Sequence, residues 1–132
     1  MASILIVDAD HAISTALRVL LEYKGFEVRI AETGAAALGA LAALGADLIV
    51  VDVTGRELRD DSAWVGLLRA KAPAVPIIAV GHSVSAGCGR PAEDALARAV
   101  ALGATAVLRK PFRPADLLDA IATSRSEPGS GS

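Results

Sequence analysis

The sequence predicts an α/β domain: a doubly wound, five-stranded parallel sheet of order 2-1-3-4-5 with helices on both faces. Three observations carry this reading. The runs Ile4-Leu5-Ile6-Val7, Leu48-Ile49-Val50-Val51 and Ile77-Ile78-Ala79-Val80 are apolar without alternation, as strands buried on both faces are. Segments with apolar residues at helical spacing separate them, so strand and helix alternate along the chain, the pattern of a parallel sheet. Phe26-Glu27-Val28-Arg29-Ile30 instead alternates strictly, as an edge strand covered on one side does. With right-handed crossovers, an edge position for this second strand favours the order 2-1-3-4-5.

The elements follow in order. The first strand, Ile4 to Val7, ends on Asp8-Ala9-Asp10. Ile13, Leu17, Leu20 and Leu21 then recur at helical spacing, with Arg18 and Glu22 off that face. Asp10 is placed to cap this helix and Gly25 to end it. After the second strand, Thr33 begins an Ala-rich helix with Leu38, Leu41 and Leu44 on one side, closed by Gly45. Asp47 to Val51 is the third strand, followed by the polar loop Asp52 to Asp61. Asp61 or Ser62 starts a third helix, with Trp64, Leu67 and Leu68 facing the core.

Pro73 and Pro76 fence that helix off from the fourth strand, Val75 to Val80. The glycine- and serine-rich stretch Gly81 to Arg90 has little reason to hold one conformation. Pro91 fits the first turn of a fourth helix, which carries Leu96, Ala99 and Val100 and ends near Gly103. Thr105 to Leu108 is the fifth strand. Pro114 opens a last helix with Leu117, Leu118 and Ile121 on one face. Residues 1–124 form the folded domain, and 125–132, small, polar and ending in Gly-Ser, read as a disordered tail or linker.

Composition narrows the function. The 132 residues fit one domain. Hydrophobic residues make up 53 % and aromatics only 3 %, so the core is built mainly of Ala, Leu, Val and Ile. A net charge of -2 with no basic run gives no footprint for nucleic acid or anionic lipid. One cysteine, Cys88, rules out an internal disulfide framework and fits a reducing compartment. No apolar stretch approaches the ~20 residues that span a membrane, and no signal peptide precedes the first strand. The expectation is a soluble cytoplasmic domain with no direct contact to nucleic acid or membrane.

In the order 2-1-3-4-5 the first and third strands are neighbours, and ligands of such sheets gather at the carboxyl ends of the strands. Asp8, Asp10 and Asp52 therefore converge, and Lys110, at the end of the fifth strand, leans over the same cleft. Carboxylates that repel one another favour a hard cation such as Mg²⁺. A carboxylate is also a nucleophile toward phosphorus, giving an aspartyl phosphate. The transferring group then needs positive charge and N–H donors around its oxygens. Mg²⁺, Lys110 and the loops after Asp52 and Val80 are the available sources.

Four pieces, Ile4 to Asp8, Asp47 to Asp52, Pro76 to Val80, and Gly103-Ala104 to Lys110-Pro111-Phe112, resemble in order and spacing the receiver domains of two-component response regulators. The resemblance covers roughly residues 3 to 123 and implies the flavodoxin-like receiver fold. It implies a signal receiver in a phosphorelay, not a conventional enzyme, that catalyses its own phosphorylation and dephosphorylation. Asp52 is then the phosphoacceptor and Lys110 pairs with the phosphoryl group. Asp8, Asp52 and the backbone carbonyl of Thr54 hold Mg²⁺, with Asp10 a weak further ligand. The implied partners are a histidine kinase or phosphotransfer protein and a downstream protein target, with a homodimer left open. The family usually carries a cis peptide at the position of Lys110-Pro111, which an X–Pro bond readily adopts.

The sequence also departs from the family. Ala9 stands where the family has its direct metal ligand, which leaves Mg²⁺ affinity open, and Asp10 is more readily a helix cap. Gly55-Arg56 replaces Met-Pro. Gly81 replaces a Ser or Thr whose hydroxyl touches the phosphoryl group, and Ser83 substitutes only if its loop folds back. Val107 replaces an aromatic whose rotation reports phosphorylation, and the stretch from Gly81 to Pro91 is longer than usual. These departures support an alternative, a pseudo-receiver that binds partners without phosphate. A flavin- or nucleotide-binding domain of the same architecture is disfavoured, because Asp8-Ala9-Asp10 would repel phosphate where a cradle is needed. His82 and Cys88 read as solvated loop residues, and Trp64 as core.

Overall fold

A sheet of five parallel strands in the order β2-β1-β3-β4-β5 forms the centre of the computed structural model. The structure describes residues 2–54, 61–82 and 90–125, the first five of the last range from backbone alone. The strands are β1 (Ser3–Val7), β2 (Glu27–Ala31), β3 (Leu48–Asp52), β4 (Ile77–His82) and β5 (Ala106–Lys110). The helices between and after them are α1 (His11–Tyr23), α2 (Gly34–Leu44), α3 (Ala63–Lys71), α4 (Arg90–Ala101) and α5 (Pro114–Arg125). The predicted class and strand order are those observed.

The unbroken apolar runs have a direct cause. Successive strand side chains point to opposite faces, and here each face has its own core. Leu5, Val7, Ile49, Val51, Ile77 and Ala79 pack with Ala37, Leu41, Val65, Leu68, Leu96 and Ala99 of α2, α3 and α4. Ile4, Ile6, Leu48, Val50, Ile78 and Val80 pack with Leu17, Leu21, Leu117 and Ile121 of α1 and α5. A one-residue slip would exchange one apolar set for the other, so register is also held at the strand ends. At the start of the sheet, for example, the Ser3 amide donates to Asp47 Oδ2 at 2.7 Å, and the Asp47 amide returns a bond to the Ser3 carbonyl at 2.9 Å.

Helix termini follow the sequence. Asp10 Oδ1 caps α1, accepting from the amides of Ala12 at 3.0 Å and Ile13 at 3.2 Å, a contribution of about 1 kcal/mol. At the other end the Gly25 amide reaches the Glu22 carbonyl and the Phe26 amide the Leu21 carbonyl, both at 3.0 Å. This reversal needs the left-handed conformation that Gly25 adopts at φ 97. Thr33 Oγ1 caps α2 through the Ala36 amide at 3.0 Å.

Three predicted helix faces are corrected. In α2 the buried residues are Gly34, Ala37 and Leu41, while Leu44 is exposed. A helix made only of Ala, Gly and Leu has no polar residue to mark its outer face. In α3, Val65 and Leu68 are buried, Leu67 is exposed and Trp64 is half-buried. In α4, Ala95, Leu96 and Ala99 are buried and Val100 is exposed. Boundaries move as well. β4 extends through His82, β5 begins at Ala106 and runs to Lys110, and α5 continues through Arg125, which the sequence assigned to the tail. The rest of that tail lies outside the described residues, as do Ser83 and Cys88.

Candidate functional site

The cleft opens at the carboxyl ends of β1, β3 and β5. Asp8 follows the last residue of β1, Asp52 is the last residue of β3, and Lys110 is the last of β5. Lys110 Nζ lies 3.3 Å from Asp52 Oδ2 and 3.9 Å from Asp8 Oδ2. All three side chains are largely withdrawn from water, with relative exposures of 8 % for Lys110, 4 % for Asp8 and 13 % for Asp52. The cleft has a volume of about 880 Å³. Besides these residues its lining includes Ala9, Asp10, Thr54, Trp64 and His82.

Each carboxylate is aimed by backbone donors. Asp8 Oδ1 accepts from the Asp10 amide at 2.8 Å. Asp52 Oδ1 accepts from the Thr54 amide at 3.0 Å and faces the Thr54 hydroxyl at 3.3 Å. The second oxygen of each is thereby turned toward Lys110. Burial pushes the Asp8 carboxyl above the usual aspartate range, and the neighbouring charge of Asp52 pushes the same way. The Asp10 amide and Lys110 oppose that shift without cancelling it.

Two carboxylates against one lysine leave the site short of positive charge. Mg²⁺ is commonly held by one or two carboxylates and keeps several waters, so Asp8 and Asp52 are the side chains that could hold such an ion. Asp10 supplies its amide to Asp8 and its carboxylate to the α1 cap. Among the described residues no group of three or more His, Cys, Asp or Glu side chains is arranged to hold a metal. The Lys110-Pro111 bond is cis, as the resemblance implied.

The other positions singled out in the sequence fall as follows. Gly81 is buried in β4, against Thr54 and Leu96. Val107 is partly exposed on β5 and stands opposite Ala79. His82 closes β4 instead of lying in a loop; its side chain is exposed and lines the cleft. Trp64, expected in the core, lines the cleft and packs against Gly34. Gly55 and Arg56 lie outside the described residues. Two features escaped the sequence reading: the buried hydroxyl of Thr54, and a 3.0 Å pair between His11 and Glu32, both of which line the cleft. Only the position of Thr54, two residues past Asp52, hinted at the first.

The fold and the site define the class: an α/β domain with a doubly wound parallel sheet and two acids and a lysine at its carboxyl rim. The sequence matches the model of the response regulator receiver domain over residues 4–122, and the chain belongs to that family. It is similar to the receiver domain protein of Methanospirillum hungatei, at 26 % identity and a TM-score of 0.84 over 100 % of this chain and 99 % of that one. It is similar to the chemotaxis protein CheY4 of Vibrio cholerae, at 26 % identity and a TM-score of 0.77 over 94 % of this chain and 98 % of that one. It also shares its fold with part of NtrX from Brucella abortus, at 23 % identity and a TM-score of 0.79 over 94 % of this chain, and it spans only 27 % of that protein. No curated protein matches the sequence. Among the described residues no helix is long and apolar enough to cross a membrane.

Proposed function

We propose that this receiver domain accepts a phosphoryl group on Asp52 from the phosphohistidine of a histidine kinase or phosphotransfer protein. The loaded domain then presents an altered surface to a downstream protein. The observation that carries this reading is Lys110 Nζ placed between Asp52, at 3.3 Å, and Asp8, at 3.9 Å. An Asp52 carboxylate oxygen attacks phosphorus and a P–O bond forms. The P–N bond breaks, and its electron pair leaves with the imidazole, which takes a proton from solvent. Lys110 stands where charge collects on the phosphoryl oxygens, and backbone donors hold the attacking carboxylate in place. Mg²⁺, held by Asp8, Asp52 and the Thr54 carbonyl, would supply the remaining positive charge. Water attacking the same phosphorus later returns Asp52 to its free form, so the domain catalyses both its loading and its release.

Incubation with acetyl phosphate and Mg²⁺, followed by intact-mass measurement, tests this. One added phosphoryl group is expected, and none in Asp52→Asn. A second reading, a pseudo-receiver that binds its partner without phosphate, is favoured by Ala9 and by the use of Asp10 as a cap. It predicts an unmodified mass at high Mg²⁺ and partner capture that persists in Asp52→Asn.

A further inference from the structure

We propose that Thr54 is a positioning residue whose hydroxyl couples the Asp52 carboxylate to the backbone of β4 at His82. Four observations meet on this side chain. Thr54 is buried, at 2 % exposure, although it is polar and lines the cleft. Its Oγ1 accepts from the His82 amide at 3.0 Å. The same oxygen stands 3.3 Å from Asp52 Oδ1. A hydroxyl has a single proton, and since His82 acts as donor here, that proton goes to Asp52. The Thr54 methyl then fills the space above Gly81, where an added Cβ would meet Thr54 Cγ2 at 3.0 Å and Leu96 at 3.3 Å. Gly81 and Thr54 are thus complementary: one has no side chain where the other places its own. A hydroxyl reaches the end of β4 from the segment that follows the neighbouring strand β3.

The consequence is a link across 28 residues of sequence. Asp52 Oδ1 receives two donors from Thr54, the amide at 3.0 Å and the hydroxyl at 3.3 Å. When Asp52 loses its charge, Oδ1 becomes a neutral acceptor and binds the hydroxyl less strongly. The hydroxyl is then held less firmly toward Oδ1, and the bond it accepts from the His82 amide changes with it. Loading of Asp52 would thereby be felt at His82. That last step rests on Asp52 being the acceptor, but the coupling itself does not.

The test reads the His82 amide by NMR in the full chain, by chemical shift and by hydrogen exchange. Thr54→Val keeps the shape and removes the hydroxyl. His82 exchange is expected to quicken about tenfold, the loss of one ordinary hydrogen bond. Thr54→Ser is expected to restore the slow exchange. Asp52→Asn is expected to shift the His82 amide in wild type and beside Thr54→Ser, and to leave it unmoved beside Thr54→Val. An Asp52→Asn shift of equal size with and without the hydroxyl would overturn the coupling, as would unchanged exchange in Thr54→Val or failure of serine to rescue. Beryllofluoride with Mg²⁺ separates the two claims. If it leaves the wild-type Asp52 signals unmoved, the acceptor reading fails, while the double-mutant comparison still decides for or against Thr54.

Discussion

The indole of Trp64 in α3 occupies the space that a Cβ on Gly34 of α2 would need. Gly34 is the first residue of α2 and is buried, and both residues line the cleft. The absence of a side chain at one position therefore sets the shape of the cleft wall. Gly34→Ala should displace the indole and destabilise the fold by about 2 kcal/mol, the scale of an overpacked contact. Urea unfolding followed by the fluorescence of this single tryptophan checks both effects. An unchanged midpoint and emission maximum would show that the contact is loose.

Asp8 carries a stability cost that depends on pH. Its carboxyl is held above the ordinary value in the fold, by burial first and by Asp52 also. The folded state therefore keeps this proton more tightly than the unfolded chain does. That contribution is complete below the unfolded value and is lost as pH rises through the folded one. Asp8→Asn has no such loss and still offers Oδ1 to the Asp10 amide. In metal-free buffer at neutral pH it should be more stable than wild type by about 1 kcal/mol. The difference should shrink as pH falls into the aspartate range. Thermal melts across pH decide this; a wild type that is the more stable at neutral pH would refute it.

Lys110→Met should show the opposite sign. It leaves Asp8 and Asp52 facing each other without the cation now 3.9 and 3.3 Å from them. Removing one partner of a buried ionic group costs roughly 3 kcal/mol. Much of that should return in the double variant Lys110→Met with Asp52→Asn, because the two residues share one interaction. Equilibrium unfolding of the four proteins gives the coupling, and additive losses would mean that the ion pair contributes little.

The fold was legible because its signal is redundant. Ile4 to Val7 and Leu48 to Val51 are apolar at every position since each face of the sheet has its own layer of helices. Asp52, Asp8 and Lys110 could be named from their places at strand ends, and Asp10 as a cap from its place before a helix. Helix faces were less legible. Leu44 and Leu67 are as apolar as Leu41 and Leu68, and only the way α2 and α3 lie on the sheet separates the exposed pair from the buried one. The role of the Thr54 hydroxyl depends on the amide of His82, and no local pattern in the chain encodes a partner brought near by strand pairing.

Arg69 was hidden for the same reason. Its guanidinium donates to the carbonyls of Ala72 at 3.1 Å, Pro73 at 3.0 Å, Val75 at 2.6 Å and Gly103 at 2.8 Å. Lysine has one charged nitrogen and cannot span that set. Arg69→Lys should cost roughly 3 kcal/mol, the equivalent of one or two charged hydrogen bonds. Chemical denaturation measures it, and a loss within the error of the method would mean that the carbonyls are equally well served by water.

These carbonyls belong to two separate connections, the one entering β4 and the one entering β5, and the Thr105 amide adds a 2.7 Å bond to the Ile77 carbonyl beside them. The two strands are thus riveted together at the foot, on the rim opposite the acids. Lys110 ends one of them and His82 the other, and the two residues are register partners at the acid-bearing rim. With the pair tied at the foot and in register to its end, the reach of Lys110 toward Asp52 is adjusted by the lysine's own four-carbon stem more easily than by parting the strands.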